Sequence, residues 1–183
     1  MIRLVQLGSN SENIIATKEL PCQKLSNVWI ELVDPSEDEL HAVADCTQIP
    51  ISFLRLPEDR QIDLRLEPGY GVINFIVMQD VTSTKDTYPV NLAFSKDFLI
   101  SVAPKEVQYI VNLAKERMSR TRIDPPAHVV YFIVDEIASS HFGHLENIET
   151  VTSDIEEEII EKPNPQILKK ILSLKSNLIS FNK

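Results

Sequence analysis

The chain has 183 residues, 43% hydrophobic and 25% charged, enough for one ordinary domain with an appendage and a real core. No apolar run approaches the roughly 18 residues of a membrane span, the longest being GVINFIVM and VVYFIV; MIRLVQL lacks signal-peptide organisation, so the sequence is expected to be soluble as it stands. The net charge of −9 hides an asymmetry, since all 27 acids precede Lys162 while residues 162–183 hold five lysines, and so acidic a body repels nucleic acid and concentrates cations.

Up to about Lys105 the text is β-rich, with strands expected near Ile2–Leu7, Ile14–Glu19, Val28–Val33, Ile62–Glu67, Gly71–Asp80, Pro89–Phe94 and Phe98–Val102. IDLRLE alternates as a half-buried strand should. GVINFIVM is apolar on both faces and predicts a central strand in a sheet covered on both sides. NLAFSKDFLISV reads as a hairpin around Lys96–Asp97. Cys22 and Cys46 stand alone, without CxxC spacing, and predict reduced thiols in a cytoplasmic context.

Helices interrupt the strands. DPSEDELHAVADCTQ predicts one capped by Asp34, with Pro35 at the first helical position and Glu37 completing a capping box. A short helix over Ile51–Leu54 follows, then the polar loop LPEDRQ, and after the hairpin KEVQYIVNLAKERMSR is an amphipathic helix. Pro125–Pro126 marks the break between residues 1–124, an α/β unit, and residues 125–183, a pair of long helices. The first, 127–161, carries the thin apolar line Leu145, Ile148, Val151, Ile155, Ile159. The second, 165–182, carries Ile167, Ile171, Leu174, Leu178, Phe181 at heptad spacing. The short KPNP connection predicts antiparallel packing, with acid-rich 146–161 against lysine-rich 162–175. The fold class expected is α/β (α+β): a mixed seven-stranded sheet flanked by helices, followed by an antiparallel pair of long helices.

Four glycines (Gly8, Gly69, Gly71, Gly143) form neither a P-loop nor a dinucleotide fingerprint, and no Gly-x-Ser-x-Gly elbow exists. Gly143, inside a helix, costs about 1 kcal/mol against alanine, and close packing is its expected reason. His141 and His144 share one helix face at zinc-compatible spacing but lack a third ligand and a following glutamate. Glu58–Asp59, Asp135–Glu136 and the run Asp154, Glu156, Glu157, Glu158 offer hard oxygen ligands of the kind magnesium takes one or two at a time. No nucleophile, histidine geometry or cofactor motif supports catalysis by them, so no catalytic and no cofactor-binding residues are expected.

Three stretches together resemble the cytoplasmic domain of CorA-type magnesium transporters: WIELVDPSEDEL (29–40), VNLAFSKDFLISVAPKE (90–106), and VVYFIVDEIASSHFGHLENIETVTSDIEEEIIEKP (129–163). The last is similar to that family's long helix and proline turn. The resemblance implies the N-terminal, cytoplasmic segment of a homopentameric membrane channel for magnesium, with cobalt as a second ion. The stalk and membrane helices, with the Gly-Met-Asn pore motif, would then follow Lys183. It implies no enzymatic activity. It also implies a regulatory magnesium ion, bound weakly by this segment because a further carboxylate sits on the stalk. Asp135 matches one acidic sensing position, while the acid one turn later in some members is Ser139 here. The family's Glu-Asp pair falls on Leu54 and Arg55 without gaps, or on Glu58–Asp59 with a small insertion. The metal ligands expected are therefore Asp135, Glu58 and Asp59. A zinc-transporting relative, a metal-dependent hydrolase built on His141/His144, and a soluble helical interaction module are the alternatives, and the segment itself is expected to self-associate through its C-terminal helices.

Overall fold

The computed structural model describes residues 1–7, 14–16, 20, 22, 25–57, 62–78, 87–118, 125–161 and 165–181. In chain order the elements are β1 (Ile2–Gln6), β2 (Ile14–Ala16), β3 (Val28–Val33), α1 (Glu37–Thr47), α2 (Ile51–Leu54), β4 (Asp63–Glu67), β5 (Tyr70–Met78), β6 (Thr87–Phe94) and β7 (Phe98–Ala103). A 3-10 turn (Lys105–Val107), α3 (Gln108–Met118), α4 (Pro126–Glu161) and α5 (Pro165–Phe181) complete it. The strands form one mixed seven-stranded sheet in the order β2-β1-β3-β7-β6-β5-β4. Only the β3–β7 pair, at its centre, is parallel. The expected mixed sheet flanked by helices is what forms.

Strand alternation decides which helix covers which face. Ile30 and Leu32 of β3 point to a core with Leu40 and Val43 of α1, Ile49 and Leu54. Trp29, one residue before Ile30, points to a second core with Ile110, Val111 and Ala114 of α3 and Val129, Ile133 and Ile137 of α4. The 4-residue spacing of that last trio is one face of a helix laid on the sheet. The first half of α4 is thus part of the sheet's own core.

Four local expectations need correction. The cap of α1 is Ser36, not Asp34: Ser36 Oγ accepts from the Glu39 N–H (3.3 Å) while Glu39 Oε2 accepts from the Ser36 N–H (3.0 Å), a complete capping box. Asp34 instead takes a left-handed turn (φ 41°), and its carboxylate accepts from the Lys105 N–H (3.3 Å), joining the end of β3 to the start of the α3 region. GVINFIVM, within β5, is not central; it lies next to the edge strand β4, and its doubly apolar character comes from helices on both faces. Cys22 and Cys46 are joined in a disulfide, with Cα atoms 4.9 Å apart, because the fold brings the chain before β3 against the last turn of α1. Gly143 is not closely packed: a Cβ there would meet nothing within 4 Å.

The two long helices run antiparallel. Glu158, in the last turn of α4, receives Lys170 of α5 (2.6 Å), and Ile155 and Ile167 are buried nearby. The thin line on α4 divides: Ile148 and Ile155 are buried, whereas Leu145, Val151 and Ile159 stay exposed, as do Leu168, Ile171, Leu172 and Ile179 on α5. One short helix covers half of a stripe that needs a wider partner.

Candidate functional site

Asp135 and Glu136 sit on α4 where it crosses the C-terminal end of α3, and one side chain, Arg117, meets both. Arg117 Nη1 donates to Asp135 Oδ2 and, at 2.7 Å, to Glu136 Oε1. Its guanidinium also lies over an aromatic face, 5.6 Å from the Phe132 centroid. The hydrogen bonds it donates to Glu136, then Asp135, hold the Arg117 pKa above its ordinary value against the opposing effect of desolvation. Asp135 keeps 35% of its side-chain surface in solvent, against 11% for Glu136. Two adjacent carboxylates, one reaching water, suit a hard, largely hydrated cation in kind. The charge on them is already met by Arg117.

The other expected ligands are not brought to this point. Glu58 and Asp59 lie outside the described residues. On the ungapped register, Leu54 is buried in the core under α1, and Arg55 is paired with Glu37 of α1 (2.6 Å). Among the described residues no three His, Cys, Asp or Glu side chains converge on a point that could hold a metal ion.

His141 and His144 are occupied otherwise. Among the described residues, β4 pairs with β5 as far as Asn74, and no strand pairs with residues 75–78 on that side. Two residues apart along β5, the Ile76 and Met78 carbonyls turn to the same side and face α4. His141 Nε2 meets the Ile76 oxygen at 3.0 Å and His144 Nε2 meets the Met78 oxygen at 2.7 Å. Facing carbonyls, both Nε2 atoms carry hydrogen and are spent as donors. The two imidazoles replace the strand that β4 is too short to supply, and burial pushes the His141 pKa down.

Glu31 is a second feature the sequence left unremarked. It is 1% exposed, on the Trp29 face of β3, and Lys115 of α3 reaches Glu31 Oε2 at 2.6 Å. Arg3 Nη1 is 3.7 Å from the same oxygen, and Gln108 donates to Oε1. Lys115 also lies 5.1 Å from the Trp29 ring centroid, and Trp29 Nε1 donates to Ser101 Oγ at 2.8 Å. This cluster fixes α3 to the sheet in one register and thereby places Arg117, seven residues after Ile110, against α4. The lone acid in VWIELV was its signal in the sequence. Arg117 had none beyond its position in the last turn of a helix.

The profile of the family described as CorA-like Mg2+ transporter protein matches residues 24–183. The cobalt/magnesium transport protein CorA of Methanocaldococcus jannaschii is 23% identical over 194 residues, an alignment spanning all of this chain and 60% of that protein. This chain therefore spans about three-fifths of the length of the curated relative it matches. Among solved structures, the soluble domain of CorA from the same organism superposes with a TM-score of 0.75 at 19% identity, covering 99% of this chain and 73% of that one. The complete CorA magnesium transporter from that organism superposes at 0.74 and 20% identity, covering 99% of this chain and 58% of that one. No described helix is long and apolar enough to cross a membrane. With its sequence matched over residues 24–183 and its sheet and long helices superposing on a CorA soluble domain, the chain belongs to the CorA-like Mg2+ transporter family.

Proposed function

We propose that this chain is the cytoplasmic regulatory domain of a membrane-embedded, homopentameric transporter of divalent cations, magnesium first and cobalt second, and that it senses intracellular Mg2+ to gate the pore. The family match over residues 24–183 carries this reading. The acidic body and the solvent-reaching Asp135 support a sensing role. Glu58 and Asp59 remain the proposed partners of Asp135, with weak Mg2+ binding, in the millimolar range, because one chain contributes few ligands. The transporter relative supports a reading without enzymatic activity. The Cys22–Cys46 bond is unusual for a cytoplasmic placement, since cytosolic disulfides are rare outside hyperthermophiles.

The test is flux. The full gene product, reconstituted in vesicles loaded with a Mg2+ indicator, should admit Mg2+ and should slow as Mg2+ rises on the side bearing this domain. Asp135→Asn should move that inhibition to higher Mg2+. Flux that ignores Mg2+ on the domain's side would sink the sensing role, and absence of any divalent flux would sink the transport reading. The exposed strip on α4 and α5 further supports self-association of the isolated chain, to be read by light scattering across a concentration series with and without residues 164–183.

A further inference from the structure

We propose that Arg117 is a tethered cation that competes with a divalent ion for Asp135, and so sets the concentration at which the domain responds. This rests on the sensing reading above and concerns how that site is regulated. Three observations carry it. First, a single nitrogen, Arg117 Nη1, serves both Asp135 Oδ2 and Glu136 Oε1. Any cation taking up that Asp135 oxygen would stand beside a positive charge that never deprotonates. Arg117 and a divalent ion are thus alternatives on Asp135.

Second, the exchange strands no charge. Glu136 is the more buried of the two carboxylates, at 11% exposure against 35%, and its 2.7 Å bond keeps Arg117 satisfied after Asp135 is given up. The stack on Phe132 at 5.6 Å holds the guanidinium stem in either arrangement. Third, Arg117 and Asp135 belong to different helices, α3 and α4, and α3 is fixed to the sheet by Lys115–Glu31. Release of Asp135 from Arg117 therefore removes one of two polar ties between α3 and α4 and leaves the Glu136 tie in place. α4 is also the helix that runs from the sheet core to α5.

The chain itself tests this, titrated with MgCl2 at ionic strength held constant with choline chloride. Binding is followed by calorimetry and by the Asp135 amide resonance. Arg117→Met keeps the stem over Phe132 and removes the charge; it should bind Mg2+ about five-fold or more tightly than the parent, a coupling of ordinary size. Adding Asp135→Asn to that variant should abolish the gain. Arg117→Lys, which keeps the charge but loses the fork, should fall between the two, and it carries the test if circular dichroism shows the methionine variant unfolded. Equal Mg2+ midpoints in parent and variants, still dependent on Asp135, would overturn the competitor role while leaving the sensing reading intact. No Asp135-dependent binding in any of them would overturn the sensing reading, and this inference with it.

Discussion

The two halves of α4 share one helix and live in different surroundings. From Pro126 to Ile137 it buries Val129, Ile133 and Ile137 completely against the sheet and α3. From Leu145 to Glu161 it buries only Ile148 and Ile155, with Leu145, Val151 and Ile159 left in water. The first half is also fastened by polar contacts: Arg117 to Asp135 and Glu136, and, just beyond it, the two histidines to the β5 edge. The second half has Lys170–Glu158, an exposed pair worth well under 1 kcal/mol. A single helix is anchored at one end and half-covered at the other, with the histidine contacts at the boundary.

The largest effect should come from breaking what fixes α3 under that anchor. Glu31→Ala leaves Lys115, 12% exposed, without its carboxylate, and should cost about 3–5 kcal/mol by urea unfolding. Replacing the pair together, Glu31→Leu with Lys115→Met, should recover most of that, because apolar groups of similar volume can fill the site. A double variant as unstable as the single one would mean that the ion pair itself, and not the stranded lysine, holds α3 in place.

The comparison of halves is tested directly by one substitution in each. Ile133→Ala, in a fully buried site packed from several sides, should cost about 4 kcal/mol of global stability. Ile155→Ala empties a site whose nearest cover is α5, which can collapse onto it, and should cost about 2 kcal/mol or less. Its signature should be local: faster amide exchange along α5 and the end of α4, with the sheet unchanged. Equal global losses would show the rod to be one cooperative unit.

A smaller, pH-dependent effect should appear at the boundary between the halves. Burial lowers the His141 pKa, so between the folded value and about 6.5 the unfolded chain binds more protons than the native one. Stability from this group is complete above about pH 6.5 and drains away as pH falls below it. Thermal midpoints across mildly acidic to neutral pH should fall toward acid, and His141→Gln, which keeps an N–H for the Ile76 carbonyl, should flatten the slope. Identical slopes in the two proteins would remove His141 from the account.

Much of this architecture was legible because periodicity and burial agree. All seven strands appear where alternating or apolar runs predicted them, and the proline signals fall within two residues of both ends of α4 and at the start of α5. What escaped was set by tertiary geometry. Asp34 looked like a cap, but Ser36 with Glu39 three residues on forms the reciprocal pair, and Asp34 is drawn off to Lys105. The doubly apolar β5 looked central because a two-sided cover reads the same next to an edge. The role of the histidine pair was out of reach because spacing on a helix says nothing about the strand carbonyls it will meet. Asp135 was readable as an acid on the right helix; Arg117, 18 residues earlier in sequence, is its partner only through the α3–α4 crossing.

The smallest expected effect lies at the same boundary and has the opposite sign. Gly143 falls between the two histidines, six residues past Ile137, the last α4 residue buried against the sheet, and just before the half-covered stretch begins. Glycine in a helix interior costs about 0.5–1 kcal/mol relative to alanine, through backbone entropy in the unfolded chain. Its usual compensation is a close approach by another element, and here a Cβ would meet nothing within 4 Å. Nor does its φ enter the left-handed region, where glycine alone is at ease. Gly143→Ala should therefore stabilise the chain by about 0.5–1 kcal/mol in urea unfolding and leave the histidine contacts intact. If alanine instead destabilises, the glycine is serving a bend between the halves of α4 that this conformation does not display, and the rod is hinged where its surroundings change.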